Sequence, residues 1–179
     1  MPEIILYTAC SLDGFIAPED GTLDWLERPE FRLESEDFGY ASLLNGTEVL
    51  VMGRTTYDQV AAFGQWPYPG KRVVVFSHRE IAHVPEGVST TSQAPEEWLK
   101  NVQAGLSGNI WLVGGGLLNR GFWEADLVDR LIVTFLPVVL GAGRPLFSGA
   151  RTSRPLQLIR QQAWPNGMVQ LEYTLSRAV

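Results

Sequence analysis

The amino-acid sequence predicts an α/β fold, in which a central, mixed and mostly parallel sheet is flanked by helices and ends in a C-terminal antiparallel hairpin. Short apolar runs alternate with segments of helical spacing through the first two-thirds of the chain. Strand-like runs dominate the remainder, and the last two are joined by a turn at 164–167. The run at 72–77 is almost continuously apolar, which is typical of a strand covered on both faces.

Eight strands and four helices account for this pattern. The first helix is predicted from apolar residues at helical spacing and from an acidic exposed face, and the Asn-Gly pair at 45–46 is expected to end it. A loop with two Asp-Gly pairs is predicted over 11–25. The predicted strands are 4–9, 49–52, 72–77, 88–91, 110–113, 131–140, 156–162 and 169–175, and the predicted helices are 31–44, 54–62, 95–104 and 117–125.

Length and composition exclude several classes of protein. The chain of 179 residues is predicted to form one domain over 1–179, and 45% hydrophobic residues argue against a disordered chain. A net charge of -6 argues against a nucleic-acid binder. The single cysteine, Cys10, is expected to be a buried, inert thiol. His78 and His83 lack ligand spacing, so no metal site is expected, and no apolar run is long enough for a bilayer. A cytoplasmic protein is predicted.

Three predicted strand ends carry residues that suit a phosphorylated ligand. Because ligands bind at the carboxyl ends of parallel strands, these three loops are expected to lie together. Arginine offers forked donors for phosphate, and the hydroxyl groups add further donors. Each loop alone is more often a solvated turn, but their coincidence favours a dinucleotide with a 2′-phosphate, hence NADPH. The three segments are Gly53-Arg54-Thr55-Thr56, Ser77-His78-Arg79 and Gly114-Gly115-Gly116.

The three consecutive glycines at 114–116 are the most informative of these loops. Three adjacent glycines lose more conformational entropy on folding than a turn requires, so a close approach of another group to the backbone is predicted. The following helix would add its dipole and its free N–H groups, which favour an anion. A run of glycines is nevertheless a weak signal alone, and it is not the Gly-x-Gly-x-x-Gly pattern of a Rossmann crossover.

Asp37 is the candidate for a reacting centre. We expect it on the first helix beside apolar positions, partly buried, where it could pair with the N–H groups of a heterocycle and help to deliver a proton. Glu34 and Glu36 are expected on the solvated face of that helix. A plain surface acid is the alternative for Asp37. Asp13 is interpreted as a turn former whose side chain bonds to nearby backbone.

Six motifs in fixed order resemble the dihydrofolate reductase-like fold, and most closely its branch similar to the reductase domain of bifunctional riboflavin-pathway deaminase-reductases. The resemblance covers nearly the whole chain and implies a three-layer fold. Since the chain has no preceding deaminase domain, an intact bifunctional enzyme is not expected. The motifs are SLDGFI at 11–16, VMGRTTY at 51–57, VVFS at 74–77, LVGGG at 112–116, LIVTFLP at 131–137 and LGAGRPLF at 140–147.

The resemblance implies a reductase that uses NADPH, and it assigns cofactor contacts. Ala9 and Ile16 look like the residues that frame the nicotinamide, beneath a mobile flap at 11–25. Gly115 and Gly116 look like the pyrophosphate-binding pair, joined in the family by a cis peptide bond. Contacts with the adenosine phosphate side are assigned to Arg54, Thr55, Ser77, His78 and Arg79. The remaining predicted cofactor contacts are Gly53, Thr56, Val113, Gly114 and Leu117.

The resemblance also implies a substrate and an assembly. Asp37 falls at the substrate-binding acid of folate reductases, and Thr134 falls at the threonine that supports it. Lys71 stands where those enzymes bind the glutamate tail with an arginine, so a pterin- or pyrimidine-like heterocycle is expected rather than folate. Hydride would pass to a C=N or C=O carbon, and a homodimer is implied. A true dihydrofolate reductase and a non-catalytic NADP-binding protein remain alternatives.

Overall fold

The computed structural model describes residues 2–175, which form ten strands and four α-helices. Short 3-10 turns lie at Asp24–Leu26, Pro29–Phe31 and Gln103–Gly105. The strands are β1 Ile4–Ser11, β2 Phe15–Ala17, β3 Thr47–Gly53, β4 Arg72–Phe76, β5 Val88–Thr91, β6 Asn109–Gly114, β7 Arg130–Leu136, β8 Arg144–Pro145, β9 Leu156–Ala163 and β10 Val169–Leu175. The helices are α1 Tyr40–Gly46, α2 Arg54–Ala61, α3 Pro95–Val102 and α4 Gly116–Glu124.

Eight strands form one sheet in the order β5-β4-β3-β6-β1-β7-β10-β9. The pairings from β5 across to β7 are parallel, whereas β10 is antiparallel to both of its neighbours. The predicted sheet with its C-terminal hairpin is therefore confirmed. The carboxyl ends of β3, β4, β6, β1 and β7 meet at one edge, as the sequence analysis expects.

The two faces of the sheet bury separate apolar clusters, which makes the molecule three layers deep. Strand β1 shows the alternation, because Leu6 and Cys10 face α3 and α4 whereas Ile5 and Tyr7 face α1 and α2. Cys10 is fully buried and free, which confirms the predicted buried thiol. Burial also raises the pKa of its thiol to about 12, so the reactive thiolate is scarce near neutral pH.

The predicted helix over 31–44 is wrong, because α1 begins only at Tyr40. Ser35, Phe38 and Gly39 have φ of 65°, 56° and 83°, and these left-handed conformations interrupt a right-handed helix. The apolar side chains that suggested the helix instead pack as a loop, with Phe31 buried beside Trp25. Gly46 is the last helical residue and the extended Thr47 follows it, so the Asn-Gly pair does not form a left-handed cap.

Two further elements differ from the predictions. The predicted strand over 131–140 ends at Leu136, and β1 runs on to Ser11. The predicted loop over 11–25 contains β2, which pairs with β8 in a separate two-stranded sheet. That pairing joins segments about 130 residues apart, so the local sequence of either segment does not indicate the strand. Within residues 2–175, no helix combines the length and the apolar character that a membrane span needs.

Candidate functional site

An opening between the two central strands is the main feature at the carboxyl edge of the sheet. Strands β1 and β6 pair only from Ile4 with Ile110 to Leu6 with Leu112. Beyond that point β1 follows β7 as far as Ser11, while the end of β6 follows β3. We call this opening, between residues 7–11 of β1 and residues 113–115, the cleft. Residues 7–9 and Val113 are half-buried there, although their neighbours along each strand are fully buried.

The backbone of Ala9 faces the cleft. On β1, Glu3 O accepts a hydrogen bond from Ile110 N (2.8 Å), and Tyr7 O accepts one from the Trp111 indole Nε1 (3.2 Å), so both carbonyls point toward β6. In a strand, residues two apart direct their peptide groups to the same side. The N–H and C=O of Ala9 therefore also point toward the β6 side, beyond the last residue pair that joins β1 and β6. Such an edge can hold an amide group, as the prediction for Ala9 requires.

The opposite wall is formed by Gly114 and Gly115, which we call the glycine ledge. The peptide bond between them is cis, one residue earlier than the predicted pair of Gly115 and Gly116. A Cβ on Gly115 would lie 3.4 Å from Thr56 Oγ1 and 3.7 Å from Ile16 Cδ1. Gly53 is also close to the ledge, because a Cβ placed on it would lie 3.8 Å from Gly114 O. The structure thus brings together these predicted cofactor residues.

Gly116 is also constrained by packing, and its predicted pyrophosphate contact stays a prediction. A Cβ there would collide with the backbone O of Pro145 and would lie 2.5 Å from Ser148 Oγ. Glycine at 116 is therefore required for packing against the segment that follows β8. Gly116 also begins α4, whose first internal bond runs from Asn119 N to Gly115 O (2.9 Å). The N–H groups of residues 116–118 precede that bond and form the positive end of the helix beside the ledge, where Leu117 is 67% exposed.

The polar residues after β3 and β4 lie side by side, because Gly53 pairs with Phe76. Arg54 Nε contacts both carboxylate oxygens of Asp58 at 2.9 Å, and its Nη1 donates to Glu80 O. Ser77 Oγ donates to Arg79 O and accepts from Arg79 N, which shapes the loop. Thr55, His78 and Arg79 are exposed. This corner therefore presents cationic side chains to solvent next to the ledge.

The segment over 11–25 crosses the mouth of the cleft and is held at several points. Asp13 accepts hydrogen bonds from Ser11 Oγ (2.6 Å), Leu140 N (3.1 Å) and Gly141 N (2.8 Å), and the Ser11 bond contributes most to lowering its pKa. Asp13 is therefore more than the local turn former predicted, since it ties this segment to the loop after β7. Further along, Gln59 Nε2 on α2 donates to Gly21 O.

The predicted environment of Asp37 is wrong. Asp37 is exposed and precedes α1, and its carboxylate accepts hydrogen bonds from Gly39 N and Ala41 N at 2.9 Å. These bonds, above all that from Ala41, lower the pKa of Asp37, so the group stays ionised near neutral pH. Glu36, predicted to be solvated, is half-buried instead. Its carboxylate accepts from Phe38 N (2.9 Å) and from Trp164 Nε1 (2.8 Å).

Thr134 reaches the segment after Asp37 through a residue that the sequence analysis misses. Gln170 Nε2 donates to Thr134 Oγ1 (3.0 Å) and to Phe38 O (2.9 Å). Phe38 O also accepts from Tyr7 Oη at 3.2 Å. Burial, followed by the charges of Asp37 and Glu36, raises the pKa of Tyr7 to about 12. The sequence analysis could have found Tyr7 from a single local signal, a phenol hydroxyl within a largely apolar strand. Gln170 gives no such signal, because it reaches the site only through the pairing of β10 with β7.

Lys71 does not stand free for a ligand carboxylate. Its Nζ donates to Leu44 O and Thr47 O, both at 2.7 Å, and so binds the carbonyl end of α1. It lines an open depression of about 380 Å³ at the amino edge of the sheet, together with Glu48. Glu48 is itself bound by the backbone N–H groups of Ser107 and Gly108. The depression lies at the edge of the sheet opposite the cleft. Its charged residues Lys71 and Glu48 are both bound to backbone groups and so stabilise the fold.

Comparison with known proteins identifies relatives along nearly the whole chain. The family model of the RibD C-terminal domain matches residues 2–170. The uncharacterized protein YwjB of Bacillus subtilis is 34% identical over 157 residues, which cover 87% of this chain and 88% of that protein.

Solved structures agree with these sequence matches. A candidate riboflavin biosynthesis protein of Shewanella sp. PV-4 is 31% identical, with a TM-score of 0.86 over 98% of this chain and 99% of its own. A diaminohydroxyphosphoribosylaminopyrimidine deaminase/5-amino-6-(5-phosphoribosylamino)uracil reductase of Thermotoga maritima shares the fold, with 17% identity and a TM-score of 0.73 over 97% of this chain and 56% of that one. The chain therefore belongs to the RibD C-terminal domain family and has the dihydrofolate reductase-like fold that its motifs predict.

Proposed function

We propose that the protein is an NADPH-dependent reductase that transfers hydride to a C=N or C=O carbon of a pterin- or pyrimidine-like heterocycle. The observation that carries the proposal is the cleft, where the backbone of Ala9 faces a glycine ledge across a break in the sheet. The reductase named in Thermotoga maritima has the same fold and supports the reaction class. Gly115 presents main chain without a side chain beside Thr56 and Ile16, which suits a ligand that binds to backbone.

The residues around the cleft would hold the cofactor in three parts. Arg54, Thr55, Ser77, His78 and Arg79 would bind the adenosine phosphate, with Arg54 exchanging part of its contact with Asp58 for phosphate. The ledge and the amino end of α4 would bind the pyrophosphate, as helix N-termini bind anions. Ala9 would hold the carboxamide through its backbone, and Ile16 would cover the ring.

The chemistry divides between the cofactor and the side chains. NADPH supplies the hydride when it is bound. Ala9 and Ile16 orient the ring and exclude water. Asp37 accepts hydrogen bonds from ring N–H groups and orients the substrate as an ion, since its lowered pKa makes it a poor proton donor. The proton that the reduced nitrogen or oxygen needs would therefore come from solvent water. Thr134 acts through Gln170, which fixes the backbone next to Asp37.

Two measurements on the purified protein test the proposal. Calorimetry with NADPH and with NADH is expected to show binding that favours NADPH. Absorbance at 340 nm is expected to fall when a dihydropterin or an aminouracil is added to protein and NADPH. The absence of binding heat with both NADPH and NADP would refute the assignment.

A non-catalytic NADP-binding protein is the second candidate. It is favoured by the exposure of Asp37, whose carboxylate already accepts two backbone N–H bonds. Trp111 lies at the end of the β1–β6 pairing and provides a fluorescence probe. Saturable quenching by NADPH without turnover on any heterocycle would favour this candidate. A true dihydrofolate reductase is less well supported, because Lys71 is occupied by the carbonyl end of α1.

We further propose a homodimer joined through the free edge of β9. This strand has eight residues and is exposed along nearly its whole length, including Leu156, Leu158 and Ile159. Long apolar edge strands are normally covered or blunted, and antiparallel pairing of two β9 strands about a two-fold axis would cover both. Light scattering after size exclusion is expected to give a dimer for the native chain and for Phe63→Lys, and a monomer for Leu158→Lys. A native monomer at tens of micromolar would refute this assembly.

A further inference from the structure

Asn119, one turn into α4, is a polar side chain on the buried face of that helix. It is 1% exposed, and the other buried side chains of α4 are Phe122 and Trp123. Its Nδ2 donates to Leu146 O at 2.9 Å, which fixes the orientation of the carboxamide. Its Oδ1 is buried and accepts no hydrogen bond from the residues that the structure describes. A buried acceptor without a partner destabilises a fold, so packing alone does not account for asparagine at this position.

The carboxamide of Asn119 lies against the glycine ledge. A Cβ placed on Gly114 would lie 3.2 Å from Asn119 Oδ1 and 3.4 Å from Asn119 Nδ2. The asparagine therefore fills the space that a side chain at 114 would need, and Gly114 has a φ of 111°, which favours glycine. A displacement of Gly114 toward α4 would meet the carboxamide, so Asn119 supports the ledge from the side of the helix.

The same side chain connects the ledge to the segment over 11–25. Leu146, whose carbonyl oxygen accepts from Asn119, donates its own N–H to Gly14 O at 3.0 Å. Gly14 directly precedes β2, which lies in that segment. We call the series of contacts from Gly14 through Leu146 and Asn119 to Gly114 the bridge. It joins the segment that would cover the nicotinamide to the ledge that would bind the pyrophosphate.

A backbone hydrogen bond holds the same stretch of chain to α4. Ser148 N donates to Gly116 O at 3.1 Å, two residues after the contact of Asn119 with Leu146. This bond does not depend on the side chain at 119. Loss of the carboxamide is therefore expected to loosen the bridge without detaching the stretch from the helix.

We propose that Asn119 is a positioning residue for the cofactor, which holds the ledge and the segment over 11–25 in a fixed relation through the bridge. The inference rests on the proposed reductase function, because that function assigns the two connected parts to two groups of one dinucleotide. Asn119 acts through Gly114 and Leu146 rather than through contact with the reacting atoms. A dinucleotide that binds across both parts meets them already aligned, so less conformational entropy is lost on binding.

Amide hydrogen exchange of the ligand-free protein tests the bridge itself. Asn119→Leu is close in size to the native residue and removes the donor to Leu146 O. The net contribution of one hydrogen bond changes an equilibrium constant by about 2- to 10-fold. We therefore expect the N–H groups of 11–17 and 144–148 to exchange faster by about that factor, relative to the N–H groups of β3. An unchanged ratio would overturn the inference.

Two further variants separate the bridge from a general loss of stability. Asn119→Ala should give the same selective change, so the test does not depend on the folding of one variant. Phe122→Leu removes ring contacts with Phe76 and Trp98 from the same helix and leaves the bridge intact. It should lower the melting temperature without changing the exchange ratio. A ratio raised as far in Phe122→Leu as in the Asn119 variants would overturn the inference.

Titration with NADPH adds a measurement that a merely structural role would not change. In the native chain, NADPH is expected to slow exchange both at 113–117 and at 11–17. In Asn119→Leu it should still slow exchange at 113–117, whereas its effect at 11–17 should be largely lost. The Kd should rise by about 2- to 10-fold in this variant and stay within about twofold of native in Phe122→Leu. Equal slowing of both parts in Asn119→Leu would contradict the proposed role.

The two experiments distinguish a failure of this inference from a failure of the proposed function. If NADPH does not bind the native chain, the reductase function is wrong, and a positioning role toward that cofactor is wrong with it. If NADPH binds but exchange at 11–17 does not depend on Asn119, only the positioning role is wrong.

Discussion

Replacing Gly115 by alanine tests the glycine ledge directly, because the structure separates its effect on binding from its effect on folding. The backbone at Gly115 has φ of -76° and ψ of -167°, which an alanine accepts. The new methyl group would make ordinary contacts, 3.4 Å from Thr56 Oγ1 and 3.7 Å from Ile16 Cδ1. We therefore expect the free energy of unfolding to change by less than about 0.5 kcal/mol.

In the proposed complex, the same methyl group would keep a phosphate from the close contact with backbone that glycine allows. A phosphate oxygen bonds to a backbone N–H at about 2.9 Å, whereas a carbon–oxygen contact needs about 3.3 Å or more. Losing one charge-assisted hydrogen bond costs about 1.5–3 kcal/mol, which raises Kd by roughly 10- to 150-fold. Calorimetric titration with NADPH gives this ratio, and thermal melting without ligand verifies the fold.

Two other glycines serve as controls for Gly115→Ala. Gly105→Ala places its methyl group with nothing within 4 Å, so both melting and binding should match the native chain. Gly116→Ala drives its methyl group into Pro145 O and should destabilise the fold by about 1–3 kcal/mol even without ligand. A stable Gly115→Ala protein that binds NADPH within twofold of native affinity would refute a main-chain pyrophosphate site at this position.

Four further predictions follow from the surroundings of Lys71, Cys10 and Asp37. Lys71→Ala removes two hydrogen bonds to the carbonyl end of α1 and should lower the free energy of unfolding by about 2 kcal/mol. The melting temperature should fall by about 4–8 °C, with NADPH affinity unchanged. The control Lys100→Ala, at an exposed position, should melt as the native chain does. Cys10, whose pKa is about 12, should not react with a disulfide reagent at pH 8 until denaturant is added, and rapid native labelling would contradict its burial. Asp37→Asn should lower the rate of heterocycle reduction and leave NADPH affinity nearly unchanged, and a large loss of NADPH binding would argue against the assignment. Because the folded pKa of Asp37 is depressed, its contribution to stability is present above pH 4 and is lost as pH falls through the folded pKa; the melting difference between Asp37→Asn and the native chain should therefore shrink toward pH 3.

The sheet and most of the proposed cofactor-binding wall could be predicted because their signals are local. Strands buried on both faces read as continuous apolar runs, as in β4, and the glycines at 114–116 mark a turn before a helix. Parallel strands bring their carboxyl ends to one edge, so residues from separate loops are collected by topology alone. Gly53, Thr56 and Gly115 are neighbours for that reason.

The substrate side could not be predicted in the same way, because its geometry depends on irregular backbone. The apolar spacing from Phe31 to Leu44 fits a helix, yet Phe38 adopts a left-handed conformation that no side-chain pattern announces. The position of Asp37 changes with it, from a helix face to the exposed turn before α1. Gln170 enters the site only because β10 lies beside β7, which is a tertiary relation.

If a dinucleotide binds as proposed, the charges on the two sides of the cleft would determine which way it lies. Arg54, His78 and Arg79 follow β3 and β4 on one side of the ledge, whereas Glu36 and Asp37 lie beyond β1, toward β7 and β10. In a chain with a net charge of -6, Arg54 and Arg79 are the cations of that corner, and three phosphates would be favourable there only where Arg54 gives up part of its pair with Asp58. A dinucleotide held there by its phosphates would extend its nicotinamide past Gly115 toward Ala9, and this ring carries no charge in NADPH. In that complex, the break between β1 and β6 would admit the ring between Ala9 and the glycine ledge.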